Sequence, residues 1–184
     1  MPRPKRPLIT RDAIMRTALR LVDEHGPAAL STNRIAAELG VKGPSLYNHV
    51  SGRGEIIDGL RELLTADMDL DAAGLRPWTA ACDRMARSYR ASFAAHPRVV
   101  PLLISQPIQS PLVLAAYERV FAVLREAGWP EDDLMPMVRA MEYLAIGSVL
   151  DLATGTPEET ERAFDIGLSA FIAGLERQLA ERPG

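Results

Sequence analysis

The chain has one cysteine in 184 residues. Cys82 can form no internal disulfide and has no neighbour at metal-ligand spacing, so it reads as a small apolar packing residue. Long apolar runs are also absent. No stretch approaches the ~18 residues that a membrane span requires, and the basic start, Met1 to Pro7, is followed by no signal-peptide core. A cytoplasmic protein with no membrane partner is expected. Period-two alternation is missing too, which argues against strands. The histidines are His25, His49 and His96, none with a nucleophile or a metal-ligating neighbour at useful spacing. The reading is therefore of a non-enzyme with no metal and no cofactor.

What is present is punctuation. Ser, Thr or Pro repeatedly opens an amphipathic segment and Gly or Pro repeatedly closes one, which predicts an all-α chain of about nine helices. Thr10 caps a first helix that ends at Gly26-Pro27. A second helix follows Ser31 or Thr32 and stops at Gly40, and a third starts at Pro44 and runs to about Val50. A fourth extends from Gly52-Arg53 toward Asp71, a fifth from Trp78 to His96, and a short sixth spans Pro97 to Gln106. Ser110-Pro111 caps and starts a seventh, and Pro130 with three acids starts an eighth. The run Thr156-Pro157-Glu158-Glu159 is a capping box that opens a ninth, expected to reach Arg182.

Charge is unevenly distributed. Residues 1–53 carry nine Lys/Arg against four Asp/Glu, an excess of five, so the remainder sums to −8 if the whole chain is −3. A basic head on an acidic body suits a protein that meets a polyanion at one end only. The expected division is a polyanion-binding head over residues 1–53 and an acidic body over residues 54–184.

The segment TNRIAAELGVKGPSLYNHV, Thr32 to Val50, carries the functional reading. Counting Thr32 as first, Ala36 is fifth, Gly40 ninth and Leu46 fifteenth. In a helix-turn-helix these are a small residue at a helix crossing, a left-handed turn residue and an inward apolar anchor. Ile35, Leu39 and Val41 complete the buried face. Lys42, Gly43, Ser45, Tyr47, Asn48 and His49 remain outward, able to meet base edges and phosphates in a major groove. Two readings of Tyr47 stand, packing against the first helix and contacting phosphate. The basic tail with Arg3, Lys5 and Arg6 is either a minor-groove arm or a solvated terminus.

Over Thr10 to Leu60, with LSTNRIAAELGV, SLYNHV and Arg53-Gly54-Glu55-Ile56-Ile57, the sequence resembles the DNA-binding domain of the TetR family of transcriptional regulators. By residue matching, the resemblance implies base or phosphate contacts at Asn33, Lys42, Pro44, Ser45, Tyr47, Asn48 and His49, with Arg53 at a phosphate-binding position. Asn48 stands where that family often has a large aromatic, and Gly43 has no side chain to read a base. HPRVVPLLISQP and REAGWPEDD extend the resemblance more weakly into the body. It implies a DNA-binding domain over residues 1–53, an effector-binding and dimerisation domain over residues 54–184, and a repressor that a small-molecule effector releases from a near-palindromic double-stranded DNA operator. A ligand-independent architectural DNA binder is the alternative reading.

Tyr89, Phe93, Tyr117, Phe121, Met137 and Met141 fall at spacings that share one interior, either plain core or the walls of an effector pocket. Arg90, His96, Gln106 and Asp151 are its polar candidates. The last helix has an apolar stripe at Phe164, Leu168, Phe171, Leu175 and Leu179 beside a small-residue strip at Ala163, Gly167, Ala170 and Gly174, more apolar girth than one subunit needs. Tyr143, Ile146, Gly147 and Leu150 on the eighth helix complete the expected face. Since the resembled family pairs its final two helices, a homodimer is expected, with Gly167, Ala170, Phe171 and Gly174 in the interface.

Overall fold

Helix boundaries follow from local capping chemistry, and the computed structural model describes residues 9–182. Thr10 takes the amide of Ala13 on its hydroxyl at 3.1 Å and starts α1, Arg11–His25. Gly26, at φ 82°, ends it where a side chain would strain the backbone. Ser31 repeats the cap at 3.2 Å on the amide of Arg34 and starts α2, Thr32–Glu38. The turn then closes in a Schellman arrangement, with the Val41 amide on the Ala36 carbonyl at 2.9 Å and the Gly40 amide on that of Ala37 at 3.1 Å. Gly40 has φ 67°, as the spacing predicts.

The remaining helices are α3 (Gly43–Leu46), α4 (Arg53–Ala66), α5 (Trp78–Ala94), α6 (Val100–Ile104), α7 (Pro111–Glu126), α8 (Glu131–Asp151) and α9 (Pro157–Ala180). Short 3-10 turns precede α2, α5 and α6, and no strand occurs among the described residues. No helix there is long and apolar enough to cross a membrane. Three ends differ from expectation. α3 stops at Leu46, and the chain reaches Val50 through turns in which the amides of His49 and Val50 share the Leu46 carbonyl. α4 ends at Ala66 because α5 captures the next segment: the Asp69 amide donates to Ser88 Oγ at 2.5 Å and its carboxylate accepts from Arg84 at 2.8 Å. Ser110 precedes α7 without capping it, since its hydroxyl donates instead to Glu62 at 2.6 Å.

Packing joins head to body. One buried cluster contains Ile14, Leu21, Ile35, Leu46 and Val50 of the head, Ile57, Leu60 and Leu64 of α4, and Phe93, Val100, Leu103 and Val149 of the body. The core thus runs across position 53, and α4 belongs to both halves. A second cluster holds Trp129, Met137 and Leu175 around α5, α7, α8 and α9, with Cys82 in it. Burial pushes the Cys82 thiol up to about 12, which fits a packing residue.

Where α1 crosses α4, Gly59 is the point of closest approach. A Cβ there would lie 2.7 Å from Met15 Cε and 2.8 Å from its Cγ, and Met15 is fully buried with no room to withdraw. Gly59→Ala is expected to destabilise the protein by ~1–3 kcal/mol in urea denaturation, through overpacking. At the other end of the chain, Thr156 Oγ1 accepts the Glu159 amide at 3.2 Å and donates to the Glu159 carboxylate at 2.9 Å. Thr156→Ala should cost ~1 kcal/mol in the same assay, whereas Thr156→Ser should cost little.

Candidate nucleic-acid interface and effector cavity

The turn between α2 and α3 sorts side chains by solvent. Ile35, Ala36, Leu46 and Val50 are buried, while Asn33, Arg34, Lys42, Pro44, Tyr47, Asn48 and His49 are exposed, and Ser45 is half-buried. A Cβ on Gly43 would lie 3.5 Å from Asn33 Oδ1, so Asn33 stands beside the start of α3. Tyr47 is 57% exposed and lies within reach of Thr32, hydroxyl to hydroxyl at 3.5 Å. Its ring is thus more exposed than buried. Arg53 sits at the edge of this surface, one guanidinium nitrogen donating to the Leu30 carbonyl at 2.8 Å.

Three of the six Lys and Arg among residues 9–53 are paired with carboxylates. Arg11 pairs with Glu55 and Glu62, Arg16 with Asp12, and Arg20 with Glu24 and Glu38. Among the described residues, no carboxylate pairs with Arg34 or Lys42, which flank the turn. Arg34 was missed by sequence reasoning, although its place beside Asn33 on the outer face of α2 could have revealed it. Residues Arg3, Lys5 and Arg6 of the basic tail lie outside the described residues.

Behind the head, α4, α5, α7 and α8 enclose a cavity of about 1120 Å³. Tyr89, Phe93, Tyr117, Phe121 and Met141 all line it, as their spacing suggests. Tyr89 stacks on Phe93 with centroids 4.4 Å apart, and Tyr117 tilts against Phe121 at 6.1 Å. Two expected wall residues lie elsewhere. His96 turns to α1, with Nδ1 2.7 Å from Asp23, because Pro97 ends α5 against that helix. Met137 packs into the second core cluster. Of the polar candidates, Gln106 lines the cavity, whereas Arg90 is held by Ser148 at 2.9 Å and Asp151 accepts from Thr154 and Thr160.

Four charged residues on the wall escaped sequence reasoning: Arg61, Glu118, Arg139 and Glu142. Arg61 is buried, its guanidinium donating to Asp58 at 2.7 Å and to the carbonyls of Leu103 and Gln106 at 2.5 and 3.2 Å. Glu142 accepts a short hydrogen bond from the Tyr117 hydroxyl. Burial raises its carboxyl above the ordinary range, although Tyr117 and the nearby guanidinium groups of Arg139 and Arg61 oppose the shift. Burial also raises the hydroxyls of Tyr89 and Tyr117. An acid inside the apolar stripe of Val138, Met141 and Ala145 was the available signal.

The outer face of α8 and α9 is apolar and exposed. Tyr143 is 68% exposed, Ile166 62% and Leu150 44%, with Gly147 and Ala170 exposed beside them. A Cβ on Gly147 or Gly174 would meet nothing within 4 Å, whereas one on Gly167 would approach Leu144 at 3.3 Å. Gly167 therefore serves the contact of α8 with α9 in the same subunit, and half-buried Phe171 packs on the body's own clusters. Tyr143, Ile146, Gly147 and Leu150 also form the cavity's outer rim.

Known proteins share this arrangement. The family model for the tetR family of bacterial regulatory proteins matches residues 14–60, and that for the tetracyclin repressor-like C-terminal domain matches residues 73–163. An uncharacterized HTH-type transcriptional regulator of Mycobacterium tuberculosis is 30% identical over 183 residues, covering 92% of this chain and 83% of that one. The HTH-type transcriptional repressor DrrR1 of Streptomyces coeruleorubidus is 30% identical over 144 residues, 78% of this chain. The match spans 53% of that repressor's length, about half. Apo ActR of Streptomyces coelicolor has the same fold, with a TM-score of 0.84 at 24% identity over 94% of this chain and 97% of that one. By sequence along nearly its whole length and by the order of its helices, this chain belongs to the TetR family.

Proposed function

We propose that the chain is a homodimeric transcriptional regulator that represses by occupying a near-palindromic DNA operator and is released by a small molecule. The observation that carries this reading is the outward polar surface of the helix-turn-helix, held rigid by a fully buried apolar face. Pro44, Ser45 and Asn48 are assigned to base edges. Arg34, Lys42, Tyr47 and Arg53 are assigned to phosphates, with Asn33 and His49 at the margins. The wall of the cavity, largely apolar with a few polar groups that include no serine or cysteine nucleophile beside a base, supports a binding role rather than an enzymatic one.

The exposed strip of Tyr143, Leu150 and Ile166, with Gly147, Ala170 and Gly174, is assigned to a two-fold interface of α8 and α9 with their counterparts. Such a dimer would present two heads to successive major grooves about 34 Å apart. Release follows from Arg61. A ligand that displaces Leu103 or Gln106 strips carbonyl acceptors from a buried guanidinium on α4, and α4 carries the head. A coupling of ~1–3 kcal/mol is enough to change operator occupancy 5- to 150-fold.

Fluorescence anisotropy against the DNA flanking the gene, with a scrambled duplex as control, tests the reading at two salt concentrations. Selective binding that falls steeply with salt is expected. Lys42→Ala and Arg34→Ala should each weaken it and lower the salt slope by about 1. Equal binding to both duplexes would favour an architectural DNA binder, and no binding would overturn the proposal. For the interface, the double variant Tyr143→Asp, Ile166→Asp should change a dimer into a monomer by light scattering, with unaltered helical circular dichroism and weaker operator binding.

A further inference from the structure

The cavity wall holds four charged groups, and two of them are ion-paired. Arg61 is the deepest, with its side chain 6% exposed, paired with Asp58 and hydrogen-bonded to the carbonyls of Leu103 and Gln106. Glu118 pairs with Arg125 at 3.1 Å. Arg139 is exposed, one turn before Glu142 on α8.

Glu142 is the fourth. Its Oε1 takes the Tyr117 hydroxyl, and among the described residues Oε2 accepts no hydrogen bond and no cation lies within ion-pair distance. The group is thus partly stripped of water with no counter-charge in contact, the Arg139 guanidinium one turn away standing in solvent, a costly state for a carboxylate. Tyr89, Phe93, Tyr117 and Phe121 line the same cavity, with Tyr117 at the carboxylate itself. An aromatic wall and an unneutralised carboxylate both attract positive charge, the first through the ring quadrupoles and the second directly. A bound anion would meet the same carboxylate, while the buried charge of Arg61 already faces Asp58 at 2.7 Å.

We infer that the cavity takes an organic cation with an aromatic body, its positive centre seated against Glu142 Oε2 and its rings against the tyrosine and phenylalanine walls. This deepens the proposed effector role and rests on that reading for its regulatory consequence, though not for binding itself. The sign of the charge is the discriminating property, because apolar area alone would favour a cation and an anion of one shape equally.

Isothermal titration of the full chain with tetraphenylphosphonium and tetraphenylborate, ions with the same four-phenyl shell and opposite charge, tests this directly. The phosphonium should bind at least about tenfold more tightly. Glu142→Gln keeps the shape and the Tyr117 contact while removing the charge, and should cost the phosphonium about tenfold with borate binding unchanged or improved. Equal or tighter binding of the borate, no binding of either ion, or an unchanged phosphonium affinity in Glu142→Gln would each overturn the inference. The comparison of the two ions needs no variant, so it stands even if Glu142→Gln fails to fold. A labelled operator, where one is found, separates this from the regulatory reading. Glu142-dependent phosphonium binding that leaves operator affinity unchanged sustains the cation site and overturns the cavity's effector role.

Discussion

The guanidinium of Arg61 is the point on which the two halves of this protein meet. It lies on α4 and reaches the carbonyls of Leu103, in the last turn of α6, and of Gln106, just beyond that helix. Asp58, one turn earlier, supplies the compensating charge. A buried cation tolerates no loss of partners, and breaking such a pair costs ~3–5 kcal/mol. The position of α4 and the path of the segment after α6 are therefore coupled. Glu62 adds a second tie, accepting from Arg11 of α1 and from Ser110 at the start of α7. Burial works against its charge, but those two hydrogen bonds prevail and hold its carboxyl below the ordinary range.

The same economy governs the head. Among the described residues Arg11, Arg16 and Arg20 are each held by carboxylates, whereas Arg34 and Lys42 are in no ion pair. Arg34 and Lys42 stand beside the turn where the backbone itself is most tightly specified by Gly40 and the Schellman bonds. Electrostatic attraction and geometric readout are thus placed on one small rigid unit, while α1 and α4 serve as its frame.

α8 has a double role that follows from its angular spread of side chains. Val138, Met141 and Glu142 face the cavity, and Tyr143, Gly147 and Leu150 occupy the outer edge and the cavity rim. A surface that pairs with a second subunit would therefore also border the ligand space. Dimer geometry, cavity and α4 then belong to one mechanical system rather than three separate ones.

Much of this was legible in the linear chain. Caps at Thr10, Ser31 and Thr156, the turn at Gly40 and the aromatic wall residues depend on spacing within one or two helical turns, and such local rules act before any tertiary contact forms. The helix-turn-helix was readable for the same reason. What the sequence left open involves partners far apart along it. Ser110 looked like a cap because nothing local shows Glu62 waiting for its hydroxyl; His96 looked like a pocket residue because nothing local shows Asp23. The roles of Arg61 and Glu142 are of the same kind, since whether a charged residue on an amphipathic helix is solvated or buried depends on what packs against it. The sequence by itself determined where helices start, stop and turn, through backbone hydrogen bonds that close within a few residues. Only the tertiary structure decided which charges are spent and which remain free, because that balance is set by groups brought together from across the chain.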